Sequence, residues 1–160
     1  MTDYLENITF DELNVGDKAS TERTLVEKDL ILFAAVSGDV NPVHLDADYA
    51  ANTPLKQRVA HGMWSASLIS TTLATVMPGP GSIYRAQTIK FSQPVAIGDR
   101  LKIELEVLTK HARSKKVELK CLVTNQDGKK VAEGTAEVLA PTDKIRVKRP
   151  VLPDIRIDLN

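Results

Sequence analysis

Residues 62–81 read GMWSASLISTTLATVMPGPG, and this stretch decides the fold. As far as Met77 it is rich in small and apolar residues and contains no charged side chain. Its apolar positions recur along one face at helical spacing. These positions are Gly62, Ala66, Ile69, Leu73 and Val76. Because a helix without charges is typical of a protein interior, we predict a central helix that is buried nearly all round and ends at the PGPG sequence.

The sequence after residue 81 has the pattern of long β-strands. Four ranges fit this pattern: 82–91, 100–111, 115–126 and 129–140. The second range alternates apolar residues, from Leu101 to Val107, with charged neighbours, so one face of that strand is buried and the other is in water. Asp127 and Gly128 are typical of the hairpin turn that would join the last two strands.

Small residues in the last of these strands indicate where the helix packs. Ala132, Gly134, Ala136 and Val138 share one face and let a helix lie close to the sheet. Earlier in the chain, residues 18–26 fit a first strand and residues 27–37 fit a helix. We therefore predict an α+β fold, in which a long, curved antiparallel sheet wraps around one buried central helix.

The candidate catalytic residues lie in the heptapeptide GDVNPVH, which begins at Gly38. Gly38 is placed to end the preceding helix in a left-handed cap, so the carboxylate of Asp39 should project from a helix end. Pro42 disfavours helical backbone at Asn41, so Asn41 can cap a new short helix whose first turn carries His44. Two rigid turns thus hold a carboxylate and an imidazole together, a pairing that suits proton transfer.

Length and composition exclude several classes of protein. The 160 residues fit one domain, and Lys plus Arg equals Asp plus Glu at 21 each, so no global charge favours nucleic acid or an anionic membrane. The one cysteine, Cys121, falls in a strand pattern and is predicted to be a buried core thiol. No run approaches about 18 apolar residues and the N-terminus lacks the features of a signal peptide, so we expect residence in the cytoplasm.

These motifs carry a family resemblance. The pattern G-D-x-N-P-x-H-x-D of residues 38–46, followed by A-H-G-M of residues 60–63, resembles the signature of the MaoC-type (R)-specific enoyl-CoA hydratases. The likeness extends to G-S-I-Y at 81–84 and F-x-x-P-V-x-x-G-D at 91–99, and covers about residues 10–141. It implies a single hot-dog domain that reversibly adds water, with syn geometry, to a trans-2-enoyl-CoA to give an (R)-3-hydroxyacyl-CoA.

The resemblance implies catalytic roles for four residues. Asp39 and His44 would share the water molecule that adds to the substrate. The backbone N–H of Gly62, free at the start of the central helix, would stabilise the thioester oxygen as it becomes negative. Ser70 matches a family serine that helps to hold the water.

Six further residues are predicted to contact the acyl-CoA substrate: Asn41, His61, Met63, Leu73, Lys56 and Arg58. His61 lies next to the oxyanion donor and is interpreted as a positioning residue. Met63 and Leu73 can line an acyl pocket, and Lys56 and Arg58 can meet the phosphates of coenzyme A. No metal and no separate cofactor is predicted, because coenzyme A is part of the substrate.

Two alternative functions stay open from the sequence. A hot-dog acyl-CoA thioesterase would bind the same ligands, but several such enzymes carry a carboxylate on the central helix, and residues 62–77 contain no Asp or Glu. A non-catalytic acyl-CoA-binding subunit would keep the groove and lose the acid–base pair, which is present here. A calcium loop around Pro42 is rejected, because the proline and the absence of glycine at the sixth position do not fit an EF-hand.

We predict a hydratase domain over residues 1–141 and an extended tail over residues 142–160. The tail alternates prolines and charges with single apolar residues. It resembles the tail seen where such hydratase domains are fused to a phosphate acetyltransferase. The family resemblance also implies a homodimer or a larger homo-oligomer, because a lone hot-dog unit leaves a sheet edge and part of its groove open.

Overall fold

The computed structural model describes residues 2–158. Its helices are α1 (Glu27–Ser37), α2 (Pro42–Leu45), α3 (Ala47–Ala51) and α4 (Gly62–Thr75). Its strands are β1 (Tyr4–Glu6), β2 (Lys18–Thr24), β3 (Ile83–Phe91), β4 (Arg100–His111), β5 (Lys116–Thr124), β6 (Lys130–Leu139) and β7 (Arg146–Lys148). In this described part of the chain, no helix has the length and apolar character needed to cross a membrane.

Five strands form one antiparallel sheet in the order β2–β4–β5–β6–β3. The register of β4 places Leu105 opposite Ala19 on one side and Cys121 on the other. Leu105 and Cys121 are both buried, so the apolar face of the alternating pattern points inward, as predicted. Gly128 has a left-handed backbone (φ 72°) in the predicted hairpin turn. The prediction of a buried core thiol is also confirmed.

Helix α4 is the central helix, and one of its faces packs against the sheet. Ile69 and Leu73 are buried in the core together with Leu105. On the same side, Thr72 Oγ1 lies 2.7 Å from Thr21 Oγ1 of β2, which joins the helix to the sheet. The predicted α+β arrangement, an antiparallel sheet around a central helix, is confirmed. The helix ends at Thr75, slightly before the predicted end.

The opposite face of α4 is open, so the prediction of burial nearly all round is wrong for this chain. Met63 is 59% exposed, and Ser67, Thr71 and Ala74 on the same face are exposed as well. The hydroxyl of Ser67 donates to the Trp64 carbonyl (2.6 Å) and that of Thr71 to the Ser67 carbonyl (3.0 Å). Because these side chains satisfy their hydrogen bonds within the helix, they fit either interior or surface. The absence of charge could not distinguish the two.

Strand β3 forms the sheet edge next to this open face. It pairs only with β6 among the described strands, and its terminal residues Ile83 and Phe91 are exposed. The open face of α4 (Met63, Ser67, Thr71 and Ala74) and strand β3 are together called the open side below. The face of α4 that packs on β2 and β4 is called the closed side.

The C-terminal tail pairs with the N-terminal segment. Strand β7 runs antiparallel to β1, with Tyr4 opposite Lys148. Asn7 adds two hydrogen bonds, because its Nδ2 donates to the Asp143 carbonyl (2.8 Å) and its Oδ1 accepts from the Ile145 N–H (3.0 Å). The sequence predicted an extended tail but not its partner, since a strand of three residues has no periodic pattern. The domain boundary at residue 141 stays a prediction.

Candidate active site

Asp39 lies immediately after α1. The helix ends at Ser37 and is capped by Gly38, which has a left-handed backbone (φ 77°) and donates its N–H to the Ala34 carbonyl at 2.8 Å. The N–H of Asp39 donates to Ser37 Oγ (3.2 Å), and Asp39 Oδ1 accepts from the Asn41 N–H (3.1 Å). These bonds hold the carboxylate at the predicted helix end, while its side chain remains half exposed.

His44 lies in the short helix α2 and faces Asp39. Asn41 caps this helix as predicted, since its Oδ1 accepts from the Val43 N–H at 3.2 Å. His44 Nδ1 lies 2.7 Å from the carbonyl oxygen of Val59. Because a carbonyl oxygen can only accept, Nδ1 carries the hydrogen. Nε2 is therefore the nitrogen that faces the carboxylate, 3.9 Å from Asp39 Oδ2.

His61 contacts both members of this pair. Its Nε2 donates to the backbone carbonyl of Asp39 at 2.9 Å, and its ring stacks on that of His44 with centroids 3.7 Å apart. Phe33 packs against the same ring, with centroids 5.0 Å apart. His61 is buried, and its Nδ1 has no hydrogen-bond partner among residues 2–158. This geometry fits the predicted positioning role, because the ring fixes Asp39 and His44 relative to each other.

Among the described residues, Asp39, His44 and His61 also form a group that could hold a metal ion. Each offers one possible ligand atom, and these atoms lie within 4.8 Å of one another. Two histidines and a carboxylate form a known set of metal ligands. A metal lies near the plane of each imidazole that binds it. The His44 and His61 rings are stacked, however, with centroids 3.7 Å apart and an angle of 25° between their planes, so no position close to both rings lies in both planes. The arrangement therefore suits proton transfer better than metal binding.

Gly62 begins α4 directly after His61. Within the described residues no side chain caps this helix, so its first N–H groups are available at the positive end of the helix dipole. A cavity of about 340 Å³ opens beside Gly62, and its walls include His61, Ser65 and Phe91. The structure thus brings three predicted site residues, Asp39, His44 and His61, next to a helix start that borders a cavity.

Three other predicted residues lie on α4. Ser70 is eight residues beyond Gly62 and hence about 12 Å along the helix axis. It is half-buried, and no hydrogen bond joins it to Asp39 or His44 in the part of the chain described. Leu73 is buried in the core, whereas Met63 is exposed beside Gly62. Of the three, only Met63 therefore presents a large free surface near the pair.

The two predicted basic contacts differ from each other. Arg58 Nη2 forms an ion pair with Glu27 Oε1 at 2.7 Å, which ties the loop before His61 to the start of α1. Lys56 is exposed and has a left-handed backbone (φ 62°). Lys56 is therefore a surface cation that can contact a phosphate, whereas the charge of Arg58 is already paired with Glu27.

Comparison with known proteins decides the family. A family model described as MaoC like domain matches residues 12–129. The chain belongs to the MaoC-like family. The family predicted from the heptapeptide and the A-H-G-M sequence is confirmed.

Several MaoC-like relatives resemble the chain over most of its length. It is 43% identical to the (R)-specific enoyl-CoA hydratase of Rhodospirillum rubrum over 132 residues, which cover 82% of this chain and 91% of the relative. It is 37% identical to the (R)-specific enoyl-CoA hydratase of Aeromonas caviae, covering 81% of this chain and 96% of that one. The solved structure of unliganded R-hydratase PhaJ1 from Pseudomonas aeruginosa superposes with a TM-score of 0.94 at 53% identity, over 97% of this chain and 99% of that one. The predicted hot-dog fold is confirmed.

The cavity also contains residues that the sequence did not assign to the site of this MaoC-like chain. Phe91 and Ser65 line it, as does Val131. Phe91 begins the F-x-x-P-V sequence that contributed to the family resemblance, so the sequence did mark this residue, although not as part of the site. The direction of its side chain depends on how β3 lies beside α4, and that placement follows only from the folded sheet.

Proposed function

We propose that the protein is an (R)-specific enoyl-CoA hydratase, which adds water reversibly to a trans-2-enoyl-CoA to give an (R)-3-hydroxyacyl-CoA. One observation carries this function. Asp39 Oδ2 and His44 Nε2 face each other at 3.9 Å, next to the start of α4 at Gly62, which no side chain of the described residues caps. The relatives from R. rubrum and A. caviae, which are named (R)-specific enoyl-CoA hydratases, support it.

The separation of the two catalytic groups suits one shared water molecule. A water that forms hydrogen bonds of about 2.8 Å to both atoms spans a gap of this size. Its hydroxyl adds to the β-carbon of the enoyl group and its proton passes to the Asp39–His44 pair. The pair returns a proton to the α-carbon from the same side, so atoms and charge balance and addition is syn. Ser70 is proposed to assist in holding the water once substrate fills the groove.

The thioester oxygen becomes negative during this addition and requires a donor. We assign that role to the backbone N–H of Gly62, since it lies at a helix N-terminus and borders the cavity. A donor of this kind typically contributes about 2.7 to 4 kcal/mol to the transition state. Asn41, Met63 and Lys56 remain the proposed substrate contacts, and His61 is proposed to act through Asp39 and His44. Of the other two predicted contacts, Leu73 is buried in the core and Arg58 is paired with Glu27, so neither is placed to contact substrate.

A homodimer with sites at the interface completes the proposal. The open side combines an exposed helix face with strand β3, whose outer edge has no partner strand within residues 2–158. Covering by another chain is one of the ways in which proteins protect such an edge. Light scattering on the purified protein would measure its mass. We expect at least twice the 17.6 kDa of one chain. A monomer with full activity would contradict this part of the proposal.

The test of function is the hydration of crotonyl-CoA, followed by loss of the enoyl-thioester absorbance together with a free-thiol assay. The protein's own thiol does not interfere, because burial raises the pKa of Cys121 to about 11. Loss of absorbance without thiol release, absent in Asp39→Asn, is the expected result. Thiol release would indicate the alternative thioesterase, and no change in either signal would indicate a non-catalytic acyl-CoA-binding subunit.

We propose that the reaction uses no metal and no separate cofactor. Wild-type turnover that survives exhaustive dialysis against EDTA would support this. Loss of turnover, restored by a divalent metal, would contradict it and would implicate the Asp39, His44 and His61 atoms described above.

Residence in the cytoplasm stays a prediction from the sequence.

A further inference from the structure

The ring of Phe91 lies against the start of α4. Phe91 is the last residue of β3 and pairs with the small residue Ala132 of β6. A Cβ atom built on Gly62 would have three ring carbons of Phe91 as its nearest neighbours, at 3.5, 3.5 and 3.6 Å. The ring therefore forms a wall beside Gly62, whose N–H is the proposed oxyanion donor.

The end of β3 that carries Phe91 is anchored to β6, but the Phe91 ring itself is partly exposed. The residue after Phe91, Ser92, donates its N–H to the Val131 carbonyl at 2.8 Å, which anchors the end of β3 to β6. Even so, Phe91 is 45% exposed and borders the cavity of about 340 Å³. The buried His61, whose Nδ1 has no hydrogen-bond partner within residues 2–158, lines the same cavity. A large aromatic ring on an anchored strand end thus limits the space beside a polar helix start.

We infer that Phe91 is a specificity residue of this site, which favours enoyl thioesters with a hydrogen at the α-carbon over those with an α-methyl group. The inference rests on the proposed function. A thioester oxygen bound to the Gly62 N–H at about 2.7 to 3.1 Å places the α-carbon two bonds away, within the same narrow space. Carbon atoms need about 3.5 to 4.0 Å between them, and the ring lies only 3.5 to 3.6 Å from the position that a Cβ atom on Gly62 would take. A methyl group added to the α-carbon would therefore be in steric conflict with the Phe91 ring.

The experiment compares kcat/KM for crotonyl-CoA and for 2-methylcrotonyl-CoA, which differ by one α-methyl group. Phe91→Ala removes the wall and Phe91→Leu shortens it. We expect the ratio of methylated to unmethylated kcat/KM to rise at least ~10-fold in Phe91→Ala, since one methyl group in a pocket typically changes selectivity 10- to 200-fold. Phe91→Leu should show a smaller rise, and it serves as a second test if the alanine variant folds poorly.

Leu108→Ala is the matched control. Leu108 is an apolar strand residue of similar exposure, 40%, but lies on β4. Its substitution should leave the ratio unchanged, and an equal rise there would overturn the inference. A ratio within twofold of wild type in both Phe91 variants would also overturn it. Loss of both activities together with dissociation, seen by light scattering, would assign Phe91 to the interface instead.

Failure of the proposed function is distinguishable from these outcomes. If the wild-type protein does not hydrate crotonyl-CoA, the proposed function fails and the specificity inference fails with it. If the wild-type protein hydrates crotonyl-CoA and the ratio does not respond to Phe91, the inference alone fails.

Discussion

The two sides of α4 differ in their burial and in their contacts with the sheet. On the closed side, Ile69 and Leu73 are buried and Thr72 is hydrogen-bonded to β2. On the open side, Met63 is exposed and strand β3 has an unpaired edge within the described chain. The proposed oxyanion donor Gly62 stands at the end of the helix where the two sides meet. The comparison indicates that the closed side supplies stability, whereas the open side is available for substrate and for a second copy.

The largest expected effect is in the sheet core against which the closed side packs. Leu105→Ala removes a buried side chain from the centre of β4 and should lower the free energy of unfolding by about 2 to 5 kcal/mol. Chemical denaturation would measure the change, and turnover per folded molecule should stay close to wild type. Leu108→Ala, on the same strand but exposed, is the control and should cost far less. Equal costs would contradict the assignment of Leu105 to the core that supports the closed side.

The next effect is at the boundary of the two sides. Gly62→Ala should lower kcat about 10²-fold, because a methyl group displaces the thioester from the N–H and small misplacements have effects of this size. The fold should tolerate it, since the new Cβ would make ordinary contact with Phe91 at 3.5 Å. Steady-state kinetics and a thermal melt would separate the two properties. Unchanged kcat would remove Gly62 from the site.

The smallest expected effect concerns the caps that hold the catalytic turn. Asn41→Ala and Asp46→Ala each remove a helix cap, from α2 and α3 respectively, and each should lower the free energy of unfolding by about 1 kcal/mol. Only Asn41→Ala should also lower kcat, by severalfold, because α2 carries His44. Similar losses of kcat in both variants would mean that the cap does not act through His44.

The sequence predicted those parts of the protein that depend on local rules. The alternation in β4, the left-handed cap at Gly38 and the cap at Asn41 all appear as expected, because turn chemistry and strand periodicity act over a few residues. The family signature predicted Asp39 and His44 as the catalytic pair, and the structure places them face to face.

Other features depend on contacts between distant segments. The open face of α4 looked like interior, since a helix of small residues, serines and threonines suits both environments. The pairing of β1 with β7 joins the two ends of the chain and leaves no local pattern. Phe91 reaches Gly62 only because β3 ends beside the start of α4. Each of these required the folded chain.

The central claim is that Asp39 and His44 act together on one water molecule. Its most direct test is the turnover of crotonyl-CoA by Asp39→Asn, His44→Gln and the double variant, with circular dichroism to confirm that each is folded. We predict that each single variant loses at least ~10²-fold in kcat and that the double variant loses little more, because residues that act as a unit are not additive. Near-wild-type turnover in either single variant would contradict the claim.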